Sequence, residues 1–201
     1  MNRPELIIFD LGRVLVDFDF TKVIRSLKRH SPLTAGTIRT YFKTTPLWDR
    51  FERGAVDPDD FFLALKKDLK LRDLEFKAFV PLWNDIFEEM EDTVAIARRL
   101  MKSYRLAMIS NVNPMHWAHV RKTHAFMGWF EHAIASYAVG HRKPELEIYR
   151  LTLRRAKVPP SRAIFIDDVK AHIDAAQSLG IRGHQFINAK KLRKDLDGVL
   201  E

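Results

Sequence analysis

The chain has 201 residues, of which 46% are hydrophobic and 11% aromatic, so it is long enough for one sizeable core and too apolar to be disordered. It contains no cysteine, which excludes disulfides, thiol catalysis and cysteine-bound zinc and agrees with the cytoplasmic location that we expect. The formal net charge is +8, but the basic residues are dispersed and the densest run, residues 190–194, has no interleaved aromatic residues, so we expect no nucleic-acid partner.

The first apolar run of the chain predicts a short strand rather than a targeting segment. Leu6–Phe9 ends at Asp10, and Arg13 follows soon after, so this run has no hydrophobic region of the length that a signal peptide needs. No other run in the sequence approaches the length of a membrane span. We therefore expect a soluble protein with no membrane partner.

Short apolar runs alternate with helical patterns along most of the chain. The runs that predict strands are residues 6–9, 105–109, 133–135, 163–166 and, more weakly, 183–187. Apolar residues at helical spacing precede the second and fourth of these runs and also follow the fourth, where Gly180 is a suitable helix stop. Runs this apolar suit strands that are buried on both faces. The pattern predicts an α/β fold with a Rossmann-like open parallel sheet.

Residues 18–90 lack this alternation and carry helical patterns only. Thr34 is a suitable cap for one helix, and Asp57-Pro58 is a strong start signal for another, because Asp accepts hydrogen bonds from free amides and Pro suits the first helical position. We therefore predict a small helical domain over residues 18–90. It is inserted into an α/β core formed by residues 1–17 and 91–201.

Polar side chains stand at or near the ends of the predicted strands, where open α/β sheets bind their ligands. Asp10 follows the first strand and Ser110-Asn111 the second, while Lys143 precedes Pro144 and a predicted helix. Taken singly, each of these segments is also compatible with a loop cap or an ordinary turn. An ammonium group aimed into the site would neutralise a phosphate and keep a carboxylate nucleophile ionised.

Two adjacent carboxylates, Asp167 and Asp168, follow the fourth predicted strand. Neighbouring carboxylates repel each other, and a divalent cation removes that repulsion. Hard oxygen ligands of this kind suit Mg²⁺. The sequence therefore predicts a metal site at this strand end.

Together, these segments resemble the haloacid dehalogenase-like (HAD) hydrolase superfamily of the type with a small helical cap. The matching motifs are Phe-Asp-Leu-Gly-x-Val-Leu at residues 9–15, the hydroxyl of Ser110, Gly-x-x-Lys-Pro-Glu at residues 140–145 and Phe-Ile-Asp-Asp at residues 165–168. They occur in the family's order, and the resemblance covers the whole chain. Residues 17–20 and 52–54 are similar to the bacterial branch that includes α-D-glucose-1-phosphate phosphatases.

The resemblance implies a Mg²⁺-dependent phosphatase that acts on a small phosphate monoester, such as a sugar phosphate. Asp10 would be the nucleophile that forms an aspartyl-phosphate, with Ser110 and Lys143 as the other catalytic residues. Ser110, Asn111 and Lys143 would bind the substrate phosphate. The implied Mg²⁺ ligands are Asp10, the backbone carbonyl of Gly12, Asp167 and Asp168, with Asp168 as the direct ligand of the acidic pair and Asp167 bound through water or paired to Lys143.

Position 12 departs from the family pattern. Most phosphatases of the superfamily carry a second Asp there as general acid and base, whereas this chain has Gly12. Asp17 and Asp19 are candidates for the missing acid, although both also suit the start of a helix. Two alternatives stay open. One is a haloacid dehalogenase that uses Asp10 without metal, which the retained acidic pair disfavours, and the other is a non-catalytic binding or regulatory protein.

Overall fold

The described part of the chain forms a five-stranded sheet flanked by helices, and a two-stranded ribbon and a block of further helices are inserted after the first strand of that sheet. The computed structural model describes residues 3–200, with side chains described up to residue 196. The strands are β1 (Leu6–Phe9), β2 (Val16–Phe18), β3 (Phe87–Glu89), β4 (Arg105–Ser110), β5 (His132–Ala135), β6 (Ala163–Asp167) and β7 (Arg182–Gln185).

Eleven α-helices complete the described part of the chain. They are α1 (Phe20–Arg29), α2 (Ala35–Thr44), α3 (Leu47–Glu52), α4 (Pro58–Asp68), α5 (Phe76–Asn84), α6 (Glu91–Leu100), α7 (Pro114–Thr123), α8 (Ser136–Val139), α9 (Leu146–Ala156), α10 (Lys170–Ser178) and α11 (Ala189–Leu200). Among residues 3–200, no helix combines the length and the apolar character that crossing a bilayer requires.

The main sheet is parallel throughout, in the order β5-β4-β1-β6-β7. Strand β1 lies at its centre, and all four residues of β1 are buried. Ile7 and Phe9 belong to the apolar cluster on one face, and Leu6 and Ile8 belong to the cluster on the other face. This double burial explains why the strand is continuously apolar instead of alternating. The predicted α/β fold is confirmed.

Most helix boundaries lie where capping residues, Pro and Gly in the sequence predict them. Thr34 caps α2, Pro58 is the first residue of α4, and Gly180, with a φ of +86°, follows the end of α10. One boundary differs from the prediction. Pro144 lies in a turn, after a cis peptide bond, and α9 begins only at Leu146.

The inserted block has an apolar core formed mainly by side chains of α1–α5 and the segments between them, to which Ile86 and, from α7, Met115 also contribute. Phe51, Phe61, Phe79 and Trp83 are fully buried there. The rings of Phe51 and Phe61 stack with centroids 4.0 Å apart. A separate core supports the predicted division into a helical unit and an α/β unit, whose boundaries stay a prediction.

The prediction of helices only over residues 18–90 is wrong at both ends of the block. Strands β2 and β3 pair antiparallel, with Val16 opposite Glu89 and Phe18 opposite Phe87. This two-stranded ribbon carries the chain from the sheet to the inserted helices and back. Each strand has three residues, which is too short for a periodic pattern to identify it from sequence.

Candidate active site

A buried lysine bridges two buried carboxylates at the C-terminal edge of the main sheet. Lys143 Nζ lies 2.7 Å from Asp10 Oδ1 and 2.6 Å from Asp167 Oδ2. The two carboxylates are neighbours because β1 and β6 pair in parallel register, with Phe9 opposite Ile166. The exposed fraction of each of the three charged residues is 8% or less. One ammonium therefore faces two carboxylates in a region from which water is largely excluded.

Burial and charge shift the pKa values of these groups in different directions. Burial raises the pKa of Asp10 to about 7, and attraction to Lys143 offsets only part of that rise. Burial also tends to raise the pKa of Asp167, but Lys143 and His172 outweigh it and hold that pKa at about 2. Burial opposes the charge of Lys143, yet the two carboxylates raise the pKa of its ammonium. At neutral pH, the Asp10 carboxyl is thus close to its pKa and only partly ionised. A bound cation would favour its ionised form.

The Asp10 carboxylate is oriented through one of its two oxygens. Leu11 donates its backbone N–H to Oδ1 at 2.6 Å, and Lys143 contacts the same oxygen. Oδ2 has no hydrogen-bond partner among residues 3–196. That oxygen is available to a substrate or a cation.

Two polar residues lie at the C-terminal end of β4, at the same edge of the sheet. Ser110 is buried at the end of β4, and Asn111 contacts the backbone of Lys143 in both directions. The Asn111 amide donates to the Lys143 carbonyl at 2.9 Å and accepts from its N–H at 2.8 Å. The sequence predicts Asn111 as a phosphate ligand only. The structure shows that this side chain also fixes the loop that carries Lys143.

The predicted site residues meet in one cavity of about 230 Å³ between the sheet edge and the inserted helices. Those that line it are Asp10, Gly12, Ser110, Asn111, Lys143 and Asp168. Asp167 is fully buried and contacts the cavity residues Lys143 and His172. The opposite wall carries Phe18, Phe20, Trp48, Glu52 and Phe87, from the ribbon and the inserted helices. None of these opposite-wall residues is assigned to the site from the sequence.

The donor atoms at the polar end of the cavity fit a divalent cation. Asp10, Asp167 and His172 offer ligand atoms that lie within 4.8 Å of one another. Burial and the neighbouring Asp167 charge raise the pKa of Asp168, which is partly buried on the cavity wall. The carboxylates at this end of the cavity outnumber the positive charges beside them. A hard cation would neutralise the excess negative charge.

His172 is a site residue that the sequence analysis missed. It lies in the first turn of α10, five residues after Asp167, and its Nδ1 is 3.0 Å from both Asp167 oxygens. A helix that begins directly after a strand brings its first turn back to the strand end. The spacing of five residues between Asp167 and His172 was the signal in the sequence. It indicates a contact between the two side chains only when the start of α10 is known.

Ion pairs fix the inserted block to the core beside the lysine. Arg142 Nη1 lies 2.5 Å from Asp49 Oδ1, and Arg142 Nη2 lies 2.7 Å from Glu52 Oε2. Arg53 contacts Glu145 at 2.5 Å. Burial raises the pKa of Glu52, and the Arg142 charge opposes that rise. The end of α3 is therefore attached to the loop that precedes α9.

The acids suggested as substitutes at position 12 lie outside the active-site cavity. Asp17 pairs with Arg13 at the surface. Asp19 accepts hydrogen bonds from Thr21 at the start of α1, and these lower its pKa. His116 does line the cavity, but burial lowers its pKa to about 3, so this imidazole is neutral at pH 7.

Comparison with known proteins identifies the family of this chain. The haloacid dehalogenase-like hydrolase family model matches residues 4–180. The chain belongs to the haloacid dehalogenase-like hydrolases. The D-ribitol-5-phosphate phosphatase of Bacteroides thetaiotaomicron is 28% identical to this HAD-like hydrolase over 201 residues, which cover 96% of this chain and 97% of the relative. A sesquiterpene phosphatase of Aspergillus oryzae is 28% identical over 177 residues, covering 88% and 86%.

Solved structures share the fold of this HAD-like hydrolase. A HAD family enzyme of Bacteroides thetaiotaomicron, crystallised with magnesium and inorganic phosphate, superimposes with a TM-score of 0.82 at 24% identity, covering 92% of this chain and 95% of that one. The L-2-haloacid dehalogenase of Xanthobacter autotrophicus gives 0.66 at 18% identity, with coverages of 97% and 83%. The family membership and the fold that the motifs predict are confirmed.

Proposed function

We propose that this HAD-like hydrolase is a Mg²⁺-dependent phosphatase that hydrolyses a small phosphate monoester through an aspartyl-phosphate on Asp10. The contact of Lys143 with both Asp10 and Asp167 carries the proposal, because it holds a carboxylate nucleophile beside a fixed positive charge. The two phosphatases among the relatives support the same class of reaction. Residues 18–90 would act as a cap over the cavity.

The reaction consists of two displacements at phosphorus. In the first, the unpaired Oδ2 of Asp10 attacks phosphorus, the bond to the ester oxygen breaks, and the leaving oxygen takes its proton from solvent water. In the second, water attacks the same phosphorus and gives up a proton to the solvent, the bond to Asp10 breaks, and inorganic phosphate is released. A covalent nucleophile divides one difficult displacement into two easier ones.

Three side chains would hold the transferring phosphoryl group. The Lys143 ammonium would neutralise one phosphate oxygen, and the Ser110 hydroxyl would donate a hydrogen bond to another. Asn111 uses one amide hydrogen on the Lys143 carbonyl, so its second amide hydrogen is left for the phosphate. Fixed donors and charges of this kind act strongly because the site excludes most water.

The metal would be held by oxygen ligands at the polar end of the cavity. We propose Asp10, the backbone carbonyl of Gly12 and Asp168 as direct ligands, and the 2.6 Å contact of Asp167 with Lys143 supports an indirect role for Asp167. When bound, Mg²⁺ shields the approach of an anionic nucleophile to an anionic phosphate.

Gly12 limits the leaving groups that we expect this enzyme to accept. A general acid contributes roughly 10²–10⁴-fold to such reactions, and position 12 has no side chain to provide it. A Cβ built there would lie 3.1 Å from Phe18 Cε1, so the Phe18 ring occupies the space beside this position. We therefore expect substrates with good leaving groups, such as anomeric phosphates.

A screen of phosphate monoesters, with and without Mg²⁺, tests the proposal. It should include p-nitrophenyl phosphate and hexose 1-phosphates. We expect phosphate release that requires Mg²⁺, and acid-quenched protein that carries one phosphoryl group on the peptide containing Asp10. No turnover of any ester would favour a non-catalytic protein. Halide release from 2-haloacids in EDTA would favour a dehalogenase instead.

A further inference from the structure

A groove of about 420 Å³ adjoins the active-site cavity on the side of the inserted helices. The groove and the cavity share four lining residues, which are Arg13, Phe18, Phe20 and Trp48. Because these walls are common to both, a ligand that extends out of the cavity past Phe18 and Phe20 enters this side groove directly.

The floor of the side groove is aromatic. Phe20 packs edge to face against Phe42, with ring centroids 5.0 Å apart, and against Trp48, with centroids 5.4 Å apart. All three side chains are only partly buried. Their exposed ring area is an apolar surface that an apolar part of a ligand would cover.

Positive charge also lines this groove. Arg39 and Lys43 lie one helical turn apart on α2, and neither has a hydrogen bond or ion pair with another residue in the described part of the chain. The other charged residues of the groove are engaged: Arg13 pairs with Asp17, and Asp19 caps α1. The groove therefore offers two unpaired cations together with an apolar surface.

Gly12 contributes to the continuity of the cavity and the groove. Its missing side chain lets the Phe18 ring approach to 3.1 Å from the position that a Cβ would occupy. In this position, Phe18 forms a wall of both spaces. The same departure that removes the usual acid therefore leaves room for an aromatic ring where the cavity opens into the groove.

We propose that the side groove binds the leaving group of an elongated substrate. The apolar body of this leaving group lies against Phe20, Phe42 and Trp48, and a second anionic group, a phosphate or a carboxylate, contacts Arg39 and Lys43. The inference rests on the phosphatase function proposed above. It adds that the leaving group of the preferred ester, besides being a good one, carries a second anion separated from the scissile phosphate by an apolar segment.

Calorimetric binding to the Asp10→Asn variant tests the inference without turnover. In the presence of Mg²⁺, alkyl monophosphates of about four to about twelve carbons are compared with chains of equal length that end in a carboxylate or a second phosphate. Affinity in the alkyl series should rise by up to about fourfold for each methylene that reaches the aromatic floor. At the lengths that reach the two cations, the doubly anionic chains should bind about tenfold more tightly than their alkyl counterparts.

Matched double variants identify the cations responsible. In the Asp10→Asn background, Arg39→Gln with Lys43→Gln should reduce the tenfold difference to less than about twofold. Lys67→Gln with Lys77→Gln removes the same charge from exposed residues of α4 and α5 outside both cavities. This control should keep the difference.

The inference is overturned if no doubly anionic chain binds more tightly than its alkyl counterpart, or if the difference survives in Arg39→Gln/Lys43→Gln. The carboxylate and phosphate series show which anion the groove takes. Hydrolysis of p-nitrophenyl phosphate by the unmodified enzyme is measured in parallel. Its absence would reject the phosphatase proposal, whereas failure of the chain series alone would reject only the groove.

Discussion

The side-chain amide of Asn111 forms two hydrogen bonds with the backbone of Lys143, at 2.9 and 2.8 Å, across 32 positions of sequence. These bonds join the end of β4 to the loop before α9. Asn111→Ala breaks both, so we expect the free energy of unfolding to fall by about 1–2 kcal/mol and kcat to fall by about tenfold. Urea denaturation and hydrolysis of p-nitrophenyl phosphate measure the two effects.

Asn188→Ala is the matched control for this prediction. Asn188 accepts a hydrogen bond from Lys191 N at 2.9 Å, at the start of α11 and outside the active-site cavity. Loss of this cap should cost about 1 kcal/mol of stability and leave kcat unchanged. If Asn111→Ala also left kcat unchanged, the bonds to Lys143 would have no catalytic importance.

Replacement of the nucleophile should remove turnover and keep the fold. Asp10→Asn preserves the size of the side chain but cannot form an acyl phosphate, so we expect kcat to fall at least about 10³-fold. Circular dichroism should show an unchanged fold. Asp174→Asn, at an exposed residue of α10 that pairs with Lys170, should keep full activity. Metal-dependent turnover by Asp10→Asn at the normal rate would rule out the covalent mechanism.

The pKa of Asp10 predicts how metal affinity depends on pH. Because burial raises this pKa to about 7, a proton competes with the cation below pH 7 and not above it. Apparent Mg²⁺ affinity, measured calorimetrically, should therefore rise about tenfold per pH unit up to about 7 and then level off. Asp167, whose pKa is about 2, stays ionised throughout. A profile that is flat between pH 5 and 7 would contradict the raised pKa of Asp10.

An aspartate at position 12 should supply the acid that the chain lacks. In Gly12→Asp, the Phe18 ring must move by a few tenths of an ångström, which we expect to cost about 1 kcal/mol. Hydrolysis of alkyl phosphates should rise relative to that of p-nitrophenyl phosphate by up to about 10²-fold, because only poor leaving groups need protonation. Gly128→Asp, where a Cβ would meet no atom within 4 Å, should leave this ratio unchanged. An unchanged ratio in Gly12→Asp would mean that another group already protonates the leaving oxygen.

The ion pairs beside the lysine should contribute to stability because one partner is buried. Arg142→Gln leaves the Glu52 carboxylate, 9% exposed, without its cation. We expect a loss of about 2 kcal/mol in urea denaturation, less than for a fully buried pair because the Arg142 side chain is 26% exposed. Arg154→Gln removes a partner of Glu147 in a pair that is 58% and 38% exposed and should cost less than about 0.5 kcal/mol. Equal costs in the two variants would show that Arg142 contributes no more than a surface charge.

Local signals in the sequence were sufficient to predict most strands and helices of the fold. Strand β1 was predicted at its observed boundaries because Leu6–Phe9 is buried on both faces and therefore apolar throughout. Thr34 and Pro58 marked helix starts through chemistry that acts within a few residues. The ribbon of β2 and β3 was missed because each strand has three residues, which is too short to show a periodic pattern. Only the pairing of Val16 with Glu89, which are distant in sequence, reveals it.

Local sequence signals also identified part of the active site, and long-range packing determined the rest. Asp10 and Lys143 were found because their motifs are contiguous in sequence, and the structure brings them together with Asp168 around one cavity. The second role of Asn111 and the presence of Trp48 on the cavity wall depend on how distant segments pack. No local pattern contains that information.

The position of the ribbon has a consequence for how this enzyme could be changed. The chain leaves the sheet through β2 and returns through β3, and the two strands are hydrogen-bonded neighbours. A replacement block joined at these two strands would leave Asp10 and Ser110 on the sheet, provided that it keeps partners for Arg142 and Glu145 beside Lys143. The helical block would then be exchangeable as a unit, which would change the aromatic floor of Phe20, Phe42 and Trp48 and its cations while the reacting groups stay on the sheet.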